Sequence, residues 1–84
     1  SYKEDSYMFF VTGKNNGTDL EHYGKTVIFS QGIAHPDGEY YLENGYTTRH
    51  KAELELNKIK RFHENESSEK WIYSIVDRDI VEPL

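Results

Sequence analysis

TTRHKAELELNKIKRFH, residues 47–63, is the stretch that decides the fold. Ala52, Leu56, Ile59 and His63 recur at i, i+4, i+7 and i+11, a spacing that places them on one face of an α-helix. Phe62 borders that face. Thr47 or Thr48 supplies a hydroxyl to cap the N-terminus, and the pattern predicts a helix that ends at Phe62 or His63. Lys58, Lys60 and Arg61 fall in the last turns, where cations complement the helix dipole. Arg49 and Lys51 oppose it in the first turn. At about 100° per residue, His50, Leu54, Lys58 and Arg61 lie opposite the apolar stripe.

Strand and turn signals surround this helix. Downstream, beyond a polar loop at 64–69, Lys70–Val76 alternates with period two: Trp71, Tyr73 and Ile75 share one face, and Ile72, Ser74 and Val76 the other. Residues 77–84 read as a charged tail that Pro83 keeps from continuing as a central strand. Upstream, residues 7–12 are aromatic and β-branched and predict a first strand. Gly13-Lys14-Asn15-Asn16-Gly17 follows with turn chemistry, because Gly and Asn tolerate positive φ. Residues 18–24 read as a loop, and 25–30 as a second strand closed by Gly32. Ala34-His35-Pro36-Asp37-Gly38 predicts a turn, with a third strand at 39–43 ended by Asn44-Gly45.

The order β-β-β-α-β implies a small single α+β domain over residues 1–84, an antiparallel sheet with one helix packed on one face. Ala52, Leu56 and Ile59 are expected to cover the inner face of the sheet. Residues 1–6 and 79–84 are expected to fray. Trp71 and Ile75 are expected in or beside the core, and Asp77 and Asp79 in solvent.

Eighty-four residues allow one core. Hydrophobic residues are only 36% of the chain, but the aromatic share of 14% offsets this, since each aromatic buries much area. The absence of cysteine excludes a disulfide framework, a thiolate zinc site and a cysteine nucleophile. It suits a reducing compartment, and a cytoplasmic location is expected. No apolar run approaches the roughly 18–20 residues of a membrane span, so no membrane partner is expected.

Catalytic signals are weak. His22, His35, His50 and His63 form no pair at metal-ligand spacing. The carboxylate pairs Glu4-Asp5, Asp19-Glu21, Glu53-Glu55, Glu64-Glu66 and Asp77-Asp79 fall in loops, tails or on a helix surface, where solvation is their ordinary fate. No serine elbow, phosphate loop or dinucleotide fingerprint is present. We expect no enzyme activity, no cofactor and no metal.

Two features point to binding. The first is the tyrosines: with strand 39–43, adjacent Tyr40 and Tyr41 point to opposite faces, and the sheet face away from the helix would be open and aromatic. The second is charge. The chain carries −5, yet residues 49–62 carry five cations against Glu53 and Glu55, which leaves −8 for the remainder. The leading expectation is a small inhibitor, immunity-like or adaptor protein, of a size suited to phages and mobile elements. It would bind another protein through His50, Leu54, Lys58, Arg61, Tyr40 and Tyr41. The second expectation is a nucleic-acid-binding domain using the basic helix or the aromatic face, which the net charge disfavours.

Residues 41–60, a strand, then Thr47-Thr48, then a helix with Ala52, Leu56 and Ile59, resemble the end of the three-stranded-sheet-plus-helix DNA-binding domains at the N-termini of phage-type integrases. The resemblance implies DNA binding through basic, aromatic strands. Here the strands are acidic or neutral, and a fourth strand follows the helix.

Overall fold

Alternation carries the first strand past its glycine. In a computed structural model, which describes residues 7–17, 23–36, 40–65 and 70–79, β1 runs Tyr7–Asn15. It is followed by β2 (Thr26–Ser30), β3 (Ile33–Pro36), a 3₁₀ turn (Leu42–Asn44), α1 (Arg49–Asn65) and β4 (Trp71–Asp79). The sheet order is β3-β2-β1-β4, with every neighbour antiparallel. This is the expected β-β-β-α-β arrangement, one small α+β domain.

Three local readings change. Gly13, Lys14 and Asn15 are strand, and the reversal comes after them, where the Asn15 carboxamide oxygen accepts the Gly17 N–H at 3.0 Å. Gly13 serves space rather than turning: a Cβ there would lie 2.5 Å from the Phe29 ring and 3.2 Å from the Trp71 ring. The second reversal lies at Gln31-Gly32; of the turn expected at 34–38, residues 34–36 are strand and 37–38 lie outside the described residues. Gln31 and Gly32 both have positive φ (52° and 79°), the mirror-image two-residue turn that matches strand twist. The third strand is therefore Ile33–Pro36, and not 39–43. It is an edge strand, where proline is tolerated. Residues 37–39 lie outside the described residues, as do 1–6, 18–22, 66–69 and 80–84. At the other end β4 runs on through Asp79, which pairs with Tyr7, so residues 77–79 are strand and not tail.

Thr48 is the helix cap: its hydroxyl accepts the Lys51 N–H at 3.2 Å. The helix runs to Asn65, two residues past His63, with Ala52 and Ile59 buried against the sheet. It starts where the Arg49 guanidinium lies over the Phe9 ring and ends over Trp71 and Tyr73, so it runs antiparallel to β4.

The two sheet faces have separate cores. Val11, Val27 and Phe29 pack with Ala52 and Ile59 under the helix, flanked by Trp71, Tyr73 and Ile75. Met8, Phe10 and Ile28 form the second core on the opposite face, with Tyr40 and Val76 beside them. That face is not open at Phe10. The Tyr40 ring meets Phe10 edge-on at 5.0 Å, and Gly45 lies so close that a Cβ would sit 2.9 Å from the Phe10 ring. The chain then crosses to the helix side through Tyr46, which exchanges two backbone hydrogen bonds with Phe9 (2.9 and 2.8 Å).

Candidate functional site

α1 touches β1 and β4, and the β2–β3 hairpin stands beside it. The gap between them is a cleft of about 370 Å³. Its floor is Phe29 and Ile59; Gln31 and Gly32 at the hairpin tip form one wall, and Glu55, Lys58, Phe62 and His63 the other. The helical residues recur at three- and four-residue spacing because one helix shoulder faces the hairpin. Phe62 stands at the rim with 62% of its surface exposed, and Leu54, two turns back, is 51% exposed. Lys58 lies between them at i+4 from Leu54 and i−4 from Phe62. Arg61 is exposed on the same outer side.

The floor is held by ring packing. Phe29 meets Trp71 edge-on at 5.1 Å and His63 at 5.6 Å. His63 in turn stacks on Trp71 at 5.1 Å, and its Nδ1 shares a hydrogen bond with the Tyr73 hydroxyl. His63 is thus half-buried in an aromatic cluster and fixes the last turns of the helix against β4. The Glu55 wall is fixed too. Tyr46 bonds to its carboxylate, and the Tyr46 hydroxyl titrates above its ordinary value, first because it is buried and second because the Glu55 charge opposes a phenolate.

His50, Leu54, Lys58 and Arg61 all lie exposed on α1, as the helical wheel requires. Tyr40 and Tyr41 do not join them. With no strand at 40–41, their expected opposition across the sheet disappears: Tyr40 packs on Phe10 behind the sheet, and Tyr41 is exposed just before the 3₁₀ turn. Sequence reasoning missed Phe62 as an anchor and Phe29 as a floor. The signal for Phe62 was present, an aromatic next to the apolar stripe and four residues from Lys58. Nothing local marked Phe29, which reaches the cleft through sheet pairing.

Among the described residues no cluster of three or more His, Asp or Glu could hold a metal ion, and no helix is long and apolar enough to cross a membrane. No protein-family model matches the chain, and no curated protein or solved structure matches it. The resemblance to the N-terminal DNA-binding domains of phage-type integrases weakens at its first element, since Tyr41 precedes a 3₁₀ turn and lies in no strand.

Proposed function

We propose that this protein is a small non-catalytic protein-binding module, and that it takes an acidic segment with an apolar anchor on the shoulder of α1. The observation that carries the reading is the pairing of two exposed apolar side chains, Leu54 and Phe62, with a cleft floored by Phe29 and Ile59 and rimmed by Lys58. An apolar anchor in a desolvated pocket supplies affinity, and the surrounding cations supply steering and orientation. Charge supports an acidic partner. The excess is local: residues 49–62 of the helix carry five Lys and Arg against Glu53 and Glu55, on a chain whose net charge is −5. The partner of an inhibitor or adaptor would meet this cationic shoulder first.

The same cation excess favours a second reading, a nucleic acid laid along the basic helix. The two differ in what they require of Leu54 and Phe62. Peptides carrying carboxylates and one aromatic, selected from a library on the wild-type protein, test the first. We expect binders that perturb the amide resonances of residues 29–32 and 54–63. We also expect the combined Leu54→Gln and Phe62→Gln variant to weaken them about tenfold or more. Selected peptides indifferent to both substitutions, or an oligonucleotide bound with a steep salt dependence, would overturn the protein-binding reading in favour of the second.

A further inference from the structure

β4 is nine residues long and forms an edge of the sheet. Its inner side is fully paired with β1, from Tyr7↔Asp79 to Asn15↔Trp71. Among the described residues no strand pairs with its outer side. The Asn16 N–H donates to the Lys70 carbonyl at 2.7 Å, which sets the phase of the ladder: even-numbered residues of β4 bond inward, and Ile75, Asp77 and Asp79 direct their backbone N–H and C=O outward. A long edge of this kind is a template for another strand.

We propose that the strand it accepts is β4 of a second copy, antiparallel and centred on Ile75, so that two sheets join into one of eight strands. The helix above this edge is charge-complementary to itself. On the side of α1 that faces this edge, the helical order is Arg49, Glu53, Leu56, Lys60, Glu64. Leu56, Lys60 and Glu64 line a second cleft, of about 540 Å³, between α1 and β4. A two-fold axis through Ile75 turns the neighbouring helix antiparallel. It then sets Glu53 against Lys60 and Arg49 against Glu64, with the Leu56 side chains near the axis.

Spacing permits this contact. α1 lies over β1 and β4 together, about half a strand spacing inside β4, and the axis lies half a spacing outside it. The two helices would then stand about 10 Å apart, the distance at which helices pack. Level agrees as well. Arg49 sits over Phe9, whose partner is Asp77, and His63 sits over Trp71 and Tyr73, so Leu56 is level with Ser74 and Ile75. This face is separate from the hairpin-side cleft, and dimerisation leaves Leu54 and Phe62 accessible.

Sedimentation equilibrium of the full chain tests the proposal, using charge exchange as the specific probe. We expect a reversible dimer. Glu53→Lys alone, and Lys60→Glu alone, should each raise its dissociation constant about tenfold, since each breaks two symmetry-related pairs and creates like-charge contacts. The double variant, carrying both substitutions, should restore the wild-type value because every pair is re-formed with its signs reversed. Asp77→Pro should also abolish the dimer while the circular dichroism spectrum is kept, because the N–H it removes points away from β1. A monomer at every accessible concentration overturns the proposal. So does a dimer that the single charge variants leave unchanged, or one that the double exchange fails to rescue, whatever the proline variant does.

Discussion

The two faces of the sheet are built from similar residues and put to different ends. Behind the sheet, Phe10 and Ile28 are fully buried, sealed by Tyr40 and by the close approach of Gly45. On the helix side Phe29 is buried too, but Trp71, Tyr73 and His63 around it are only half-covered, and Phe62 projects beyond them. A small domain has little area to hide. Both faces carry a buried core, but only the helix face also keeps a cleft beside it. The sharpest way to break this contrast is to truncate one phenylalanine from each face. Phe10→Ala should cost about 3–5 kcal/mol and leave a domain of this size largely unfolded. Phe62→Ala should stay within about 0.5 kcal/mol of wild type. Urea denaturation followed by the fluorescence of Trp71, the only tryptophan, measures both. Similar losses in the two variants would show that Phe62 is packed as core and does not stand at the rim of the cleft.

The next test asks whether the cleft floor is as rigid as its ring contacts imply. Gly13 leaves the space that Phe29 fills, and Phe29 is held from above by Trp71 and His63. Gly13→Ala therefore cannot be absorbed by one ring swinging clear. It should destabilise by about 1–3 kcal/mol through overpacking, with a change in near-ultraviolet circular dichroism as Trp71 shifts. An alanine tolerated at no cost would mean that the floor is soft, and that the cleft volume adapts to what enters it.

Elements with a strong period were legible in the sequence, and elements fixed by pairing were not. The stripe Ala52, Leu56, Ile59, His63 and the cap at Thr48 depend on residues within a few positions of each other, and local pattern was enough to read them. So was the alternation of Trp71, Tyr73 and Ile75 on β4. The third strand was misplaced because Pro36-Asp37-Gly38 is a stronger turn signal than Gln31-Gly32. The weaker signal at Gln31-Gly32 nonetheless closes a hairpin, because Ile33–Pro36 can then pair with Val27–Ser30. Gly13 misled for a related reason: a glycine that makes room for a distant ring looks, in sequence, like one that makes a turn. Of the candidate site, the helical half was readable from the wheel. The hairpin half, Phe29, Gln31 and Gly32, becomes adjacent only through topology.

A smaller effect separates the cleft wall from its floor. Tyr46 titrates above its ordinary value of 10.0 in the folded chain, so the fold favours the neutral phenol. This contribution is complete below pH 10 and is lost as pH rises through the folded value, since the unfolded chain ionises first. Wild-type stability should therefore fall above pH 10, beyond the loss shown by Tyr46→Phe. At neutral pH the phenylalanine variant should lose about 1 kcal/mol, the worth of the hydroxyl's hydrogen bonds. Parallel curves for the two proteins above pH 10 would mean that the Tyr46 hydroxyl is neither buried nor set against Glu55 in the folded chain, and would leave that wall of the cleft unsupported.

The smallest effect on stability is the most informative about function. Leu54 and Phe62 lie on α1 with more than half their surfaces in water, so folding gains little from either. Glutamine suits both positions as a probe, because its helix propensity is close to that of leucine and no worse than that of phenylalanine. Leu54→Gln and Phe62→Gln, alone or together, should shift stability by no more than about 0.5 kcal/mol. A loss above about 2 kcal/mol at Leu54 would place it in a core, with some part of the chain folded over it. The shoulder would then be closed, and Lys58 and Arg61 would be solvated charge with no anchor beside them. A silent result leaves two large apolar side chains on a cationic helix that stability does not need. That is the arrangement an acidic partner with an apolar side chain would make use of.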